Sequence, residues 1–322
     1  MALDGAALGK RLRDGDLTAA PAVLNLVENA TPAARAAVGD LLREVSPAAL
    51  GGEAPGHLVG VTGPPGAGKS TLLSALVRAW RDAGRAVAVL AVDPSSRRSG
   101  GSLLGDRARI AFDPRDRGVF IRSTAAGTRL GGLAPATRAA AHALAAAFDV
   151  VVVETVGVGQ SETDVAEVAD TIAVIVQPGS GDVLQFLKAG IMEIPDVLVV
   201  TKADLGDVAL RAQRDLHAAL RSVGERATKV VAVSSIAPVQ GLDALVAALD
   251  EHRVGLDVAG HRLAARRAAA LSDFAAEHGE RGLRALGGLR AARRWLDTQP
   301  TDADVPTLVD GLEREAARGA ER

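Results

Sequence analysis

The chain has 322 residues, 37 Lys and Arg against 39 Asp and Glu, and 48% hydrophobic residues. That balance is too apolar for a disordered polyelectrolyte, and with 2% aromatic residues it offers neither a basic field nor a stacking platform for nucleic acid. Cysteine is absent, which removes disulfides, thiol nucleophiles and thiolate metal sites together. Residues 1 to about 50 read as helical, with a turn near Asn29-Ala-Thr-Pro32 and with Val38, Leu41, Leu42 and Val45 at helical spacing. Residues 51–56 read as a connector. His57–Thr62 is then a short buried strand, and Ser70–Arg81 a helix whose apolar face carries Leu72, Leu73, Leu76 and Val77. Ala86–Val92, Val150–Val153, Thr171–Val176, Val197–Thr201 and Val230–Val233 are further strands. Continuous apolar strands separated by helical segments predict an α/β fold with a mainly parallel sheet covered on both faces. After residue 251 the pattern returns to helices, broken at Gly287-Gly288 and Gln299–Asp304, and the arginines of His261–Arg267 read as a solvated helix face. The expected division is a helical extension over 1–56, an α/β domain over 57–250 and a helical region over 251–322. No stretch of about 18 unbroken apolar residues or leader-like start is present, so a soluble cytoplasmic protein without a membrane partner is expected.

Gly63-Pro64-Pro65-Gly66-Ala67-Gly68-Lys69-Ser70-Thr71 is a complete G-x-x-x-x-G-K-[ST] string between a predicted strand and a predicted helix. Glycines at these places let backbone N–H groups curl around phosphate oxygens, and the helix N-terminus adds its positive end. Lys69 is expected to reach the β and γ phosphates, and Ser70 to offer its hydroxyl to Mg²⁺. The architecture is therefore a P-loop nucleotide-binding fold with helical extensions at both ends.

Thr201-Lys202-Ala203-Asp204 follows an apolar strand where an [N/T]-K-x-D loop would meet the base. A carboxylate at Asp204 accepts from both N1–H and N2–H of guanine, a pair that adenine does not present, so GTP is expected over ATP. Lys202 lays its aliphatic stem over the ring, and Ser234, Ser235 and Ile236 close the base pocket. A plain surface turn is the alternative for these four residues taken alone. For the metal and the attacking water, Asp93 and Asp106 are candidates, with hydrogen-bonded turn residues as the alternative. Glu154 is the better placed acid, since a charge at a buried strand end needs a partner or a metal. Gly157 would offer its N–H to the γ phosphate. Glycine-rich loops at 98–105, 127–132, 157–159 and 179–181 are expected to move between GTP and GDP states. Lys188 would assist charge neutralisation, or else be an exposed helix lysine. No general base is assigned, because positioning and electrostatics can carry phosphoryl transfer.

With these motifs in order, the chain resembles the MeaB/ArgK family of P-loop GTPases. The likeness rests on GPPGAGKST at Gly63–Thr71, AVDPSS at Ala91–Ser96, GGSLLGDRAR at Gly100–Arg109, ETVGVGQSE at Glu154–Glu162, and the run from Gln177 to Asp204. The resemblance implies a GTPase that assists an adenosylcobalamin-dependent acyl-CoA mutase, above all methylmalonyl-CoA mutase, by gating cofactor loading and protecting the mutase. It also implies a homodimer built through the C-terminal arm, Lys69 and Ser70 at phosphate and Mg²⁺, and Asp93, Asp106 and Glu154 near the metal. Residues 177–188 would form a switch responding to the mutase. Thr201 stands where asparagine is usual and removes an amide that would contact guanine N7. Arg97-Arg98-Ser99 replaces a less basic stretch. Two other functions share the P-loop: delivery of nickel or zinc to a metalloenzyme, disfavoured by the lack of cysteine and the scatter of six histidines, and a small-molecule kinase, disfavoured by the guanine-reading loop.

Overall fold

The computed structural model describes residues 4–93, 110–125, 133–155, 165–179, 195–224 and 227–320. In chain order its elements are α1 (Gly5–Arg13), α2 (Ala20–Val27), α3 (Pro32–Glu44), α4 (Pro47–Leu50), β1 (His57–Thr62), α5 (Lys69–Asp82), β2 (Val87–Asp93), β3 (Val119–Ala125), α6 (Pro135–Leu144), β4 (Val150–Thr155), β5 (Thr171–Val176), β6 (Val197–Val200), α7 (Asp207–Ser222), β7 (Lys229–Ala232), α8 (Leu242–Gly255), α9 (Val258–Ala285), α10 (Leu289–Asp297) and α11 (Val305–Ala320). They divide into two compact units. One comprises Gly56–Thr137 and Phe148–Leu256, the other Met1–Pro55, Arg138–Ala147 and Asp257–Arg322.

The first unit is built on a seven-stranded sheet in the order β3-β2-β4-β1-β5-β6-β7, with every pairing parallel. β1, β4, β5 and β6 are buried at every position, which is why they read as mainly apolar, Val-rich runs. β1 lies at the centre, and the sheet grows from it through β4, β2 and β3 on one side and β5, β6 and β7 on the other. In such open sheets ligands bind beyond the carboxyl ends of the strands where the order reverses, and β1 delivers its loop there. Leu72, Leu73, Leu76 and Trp80 of α5 pack with Val59 and Val61 of β1 and with Leu245 and Leu249 of α8 in one core cluster. Beneath α5, Arg81 forks onto Asp116 with two hydrogen bonds of 2.9 Å.

β3 is the strand that the apolar-run criterion passes over. It pairs with β2 alone, at the sheet edge, and carries Arg122, Ser123 and Thr124 in its middle, so its composition lacks the signature of a strand covered on both sides.

The second unit is helical, and α1, α3, α4 and α9 start on side-chain caps. Asp4 accepts from the Ala7 N–H, Thr31 from Ala34, Ser46 from Ala49 and Asp257 from Gly260. α9 is broken at Gly279, where φ is 59°, and its Ala270 and Phe274 form a core with Ala292 and Leu296 of α10 and Leu308 and Leu312 of α11. Arg262 and Arg266 correct the expectation of a solvated arginine face, being only 2% and 6% exposed. Arg266 lies 2.8 Å from the Glu53 carboxylate and donates to the Thr301 carbonyl at 2.9 Å; Arg262 donates to the Ala54 carbonyl at 2.7 Å. A buried guanidinium requires such partners, and the connector at 51–56 supplies two of them, Glu53 and Ala54, from over 200 residues away in the chain.

Candidate nucleotide site

β1 ends at Thr62 and passes into a loop that only glycine can begin. Gly63 has a φ of 148°, and a Cβ there would lie 2.5 Å from the Ile175 carbonyl oxygen of β5. Gly66 and Gly68 also take positive φ, at 76° and 90°, and the Ala67 N–H closes a turn onto the Pro64 carbonyl at 3.3 Å. The chain then enters α5 at Lys69, which is 6% exposed. Its ammonium donates to the carbonyls of Gly63 at 2.7 Å and Pro64 at 3.1 Å. A buried cation is thus held across the loop by the loop's own carbonyls. No side chain caps the N-terminus of α5, and a helix start of this kind, with its positive end and first N–H groups, suits an anion. Pro64 and Ser70 are half-buried, and Pro65 and Thr71 are exposed.

The second arm begins where β6 ends. Thr201 is 3% exposed; its Oγ1 donates to the Ala67 carbonyl at 2.7 Å and approaches the Val176 carbonyl at 3.3 Å. Lys202 follows with a φ of 55°, the one positive φ outside glycine among the described residues. The Ala203 N–H donates to the Val233 carbonyl at 3.2 Å, which draws the short helical turn Ala203–Leu205 towards the end of β7. Asp204 is exposed and accepts at Oδ1 from the Ser234 hydroxyl at 2.9 Å. Ser234, 1% exposed, is itself fixed by two backbone hydrogen bonds of 3.0 Å with Gln240. Ser235 is half-buried, and Ile236 is 57% exposed. The structure therefore brings Gly63–Thr71, Thr201–Asp204 and Ser234 into one hydrogen-bonded frame at the carboxyl ends of β1, β6 and β7.

The Thr201–Ala67 and Ser234–Asp204 contacts are the parts that sequence reasoning missed. Both residues are expected to meet nucleotide; in the structure the Thr201 hydroxyl ties the loop after β6 to the loop after β1, and the Ser234 hydroxyl ties the end of β7 to Asp204. Motif spacing says where such residues sit and nothing of where their donors point.

Glu154 lies on β4 opposite Val61 of β1 and Ala91 of β2 and is 2% exposed. Thr62 next to it in the sheet is fully buried, and its hydroxyl has no hydrogen-bond partner among the described residues. A half-buried serine hydroxyl and a buried carboxylate are the hard oxygen donors that Mg²⁺ takes, usually one or two protein groups supplemented by phosphates and water. Among the described residues no group of three or more His, Asp or Glu is placed to hold a metal ion. Asp106, Gly157, Lys188 and the side chain of Asp93 lie outside the described residues.

Comparison with known proteins decides the family. The model of the family described as methylmalonyl Co-A mutase-associated GTPase MeaB matches residues 20–281. The chain belongs to the MeaB family. It is 38% identical over 261 residues to the GTPase ArgK of Escherichia coli, covering 78% of this chain and 76% of that one. It is 44% identical over 157 residues to the mouse mitochondrial methylmalonic aciduria type A homolog, covering 48% of this chain and 38% of that protein. Among solved structures, a LAO/AO transport system kinase superposes with a TM-score of 0.65 at 27% identity, covering 99% of this chain and 98% of that one. As a MeaB family member the chain is a GTPase and binds guanine nucleotide. Among the described residues no helix is long and apolar enough to cross a membrane.

Proposed function

We propose that this GTPase hydrolyses GTP with Mg²⁺ and couples its nucleotide state to an adenosylcobalamin-dependent acyl-CoA mutase, methylmalonyl-CoA mutase first, by gating cofactor loading and protecting the mutase. The observation that carries the reading is the match of a mutase-associated GTPase family across residues 20–281, a span that contains the whole frame around Lys69, Thr201 and Asp204. The protein acts as a cytoplasmic homodimer in this reading.

Lys69 leaves the Gly63 and Pro64 carbonyls for the β and γ phosphates, and the backbone of Gly63–Thr71 surrounds the phosphate chain. Asp204 accepts from guanine, Lys202 covers the ring with its stem, and Ser235 and Ile236 border it. Ser70 and Glu154 would hold Mg²⁺, with Asp93 and Asp106 as the further acids; when bound, the ion would supply charge neutralisation at the phosphates. Glu154 orients water through its buried carboxylate, while Gly157 and Lys188 meet the γ phosphate side.

The test is GTP hydrolysis with Mg²⁺, alone and with a purified adenosylcobalamin-dependent acyl-CoA mutase, with ATP as the comparison. Stimulation that requires both GTP and the mutase supports the reading. GTP turnover indifferent to the mutase overturns the partner.

A further inference from the structure

At the opposite end of the sheet from the nucleotide loops, a hydrogen-bonded chain of four polar side chains crosses the feet of three strands. His57 opens β1, Thr171 opens β5, Asp196 immediately precedes β6, and His252 lies near the end of α8. The Thr171 hydroxyl is 2.8 Å from Nε2 of His57 and 2.9 Å from Nδ1 of His252. The other nitrogen of His252, Nε2, is 3.1 Å from Asp196 Oδ1. Asp196 is fixed in turn by the Ile172 N–H, which donates to its Oδ2 at 2.8 Å. Thr171 is fully buried and His57 is 7% exposed, whereas the His252 side chain is 29% exposed. Solvent protons therefore reach His252 far more readily than the inner ring.

A hydroxyl has one proton, so Thr171 can donate to only one of the two rings. With both rings neutral, a carboxylate at Asp196 calls for an N–H on His252 Nε2, which leaves Nδ1 bare. Thr171 then donates to His252 Nδ1 and accepts from an N–H on His57 Nε2. When His252 takes up a proton, Nδ1 becomes a donor and Thr171 must accept from it. The arrangement that keeps the hydroxyl proton within the chain turns it to a bare His57 Nε2, with the His57 ring proton moved to Nδ1 by exchange with solvent. The balance is one proton gained, on His252, and one tautomer changed, on His57.

We propose that His252, Thr171 and His57 form a proton relay, in which protonation of His252 reverses the Thr171 hydroxyl and switches the tautomer of His57 at the start of the strand that carries the P-loop. The neighbouring charges are committed elsewhere. On α8, Asp250 is paired with Arg85, which precedes β2, at 2.7 Å; Glu251 is paired with Lys229 of β7; and Arg253 faces Asp170, which precedes β5, at 3.6 Å. Asp196 is thus the acid that faces His252 from the strands.

The experiment is ¹⁵N NMR of the full chain labelled at its six histidine rings, titrated from about pH 8 to pH 5, with His57→Gln and His252→Gln spectra assigning the two signals. In the wild type, His57 Nε2 is expected to pass from protonated to bare with the same midpoint at which His252 becomes doubly protonated. Thr171→Val should remove the His57 response at that midpoint, and Thr171→Ser should restore it. A His57 tautomer that stays unchanged through the His252 titration in the wild type overturns the relay, as does a coupled response that survives in Thr171→Val. The wild-type titration decides the matter alone if the valine variant fails to fold.

Discussion

The Thr201 hydroxyl donates a 2.7 Å hydrogen bond to the backbone carbonyl of Ala67, so the loop after β6 is bonded directly to the glycine-rich loop after β1. In the proposed site, base and phosphate recognition share that one hydrogen bond. Thr201→Val keeps the shape and deletes the donor, leaving a buried carbonyl short of a partner at a cost of about 1–3 kcal/mol. Urea denaturation should register that loss, and GTP and GDP titrations should weaken together. A variant that weakens neither is at odds with the coupling.

Lys69→Ala removes the cation held by Gly63 and Pro64. The expected fall in turnover is about 10²–10³-fold, comparable to removing one donor from a charge-stabilising site. Steady-state GTP hydrolysis checks it, with circular dichroism to show that the fold persists.

Asp204→Asn preserves an oxygen for the Ser234 hydroxyl at 2.9 Å but replaces a carboxylate oxygen by an amide donor. The fold should survive while guanine preference falls. Because xanthine carries a carbonyl where guanine has its N2 amino group, xanthosine triphosphate should gain what GTP loses. Competition between GTP, ATP and xanthosine triphosphate measures the switch, and an unchanged GTP preference speaks against Asp204 as the base reader.

Arg266 and Glu53 form a pair with side chains 8% and 16% exposed. Breaking it from one side leaves a buried charge, so Arg266→Ala is expected to cost about 3–5 kcal/mol. Glu53→Gln with Arg266→Met should recover part of that loss, since the second variant removes both charges. Thermal and urea unfolding of the two variants test the difference.

The Arg81 guanidinium hydrogen-bonded to Asp116, together with the Gly118 N–H, holds the Asp116 carboxyl below the ordinary value of 3.8. A depressed carboxylate contributes stability above its unfolded value and loses it as pH falls through the folded one. Asp116→Asn should therefore reduce stability at neutral pH and narrow its gap to the wild type below about pH 4. Urea midpoints across pH 2.5–7 give the comparison.

The nucleotide frame was legible wherever a local pattern states its own requirement. Gly63 and Lys69 announce a strand–loop–helix turn, and the unbroken valines of β4 announce a strand buried on both faces. What stayed hidden depended on partners distant in the chain. Arg262 and Arg266 look like solvent-facing arginines until residues 53 and 54 are brought to them. β3 escaped because an edge strand tolerates Arg122 and Ser123. The hydroxyls of Thr201 and Ser234 were placed correctly at the end of their strands, yet their direction is a property of the assembled loops.

The helical unit is assembled from three separate stretches of chain, and Arg266 lies 213 residues after the Glu53 that it binds. During synthesis the first helices emerge long before α9 exists, so the connector that follows them waits without its cation until nearly the last fifth of the chain has left the ribosome. Folding of this unit is accordingly a late event of translation, whereas strands β1 to β7 are all available earlier. Premature termination after α8 would leave Glu53 and the Ala54 carbonyl without the arginines that cover them, and such a product is a natural client for chaperones or proteases.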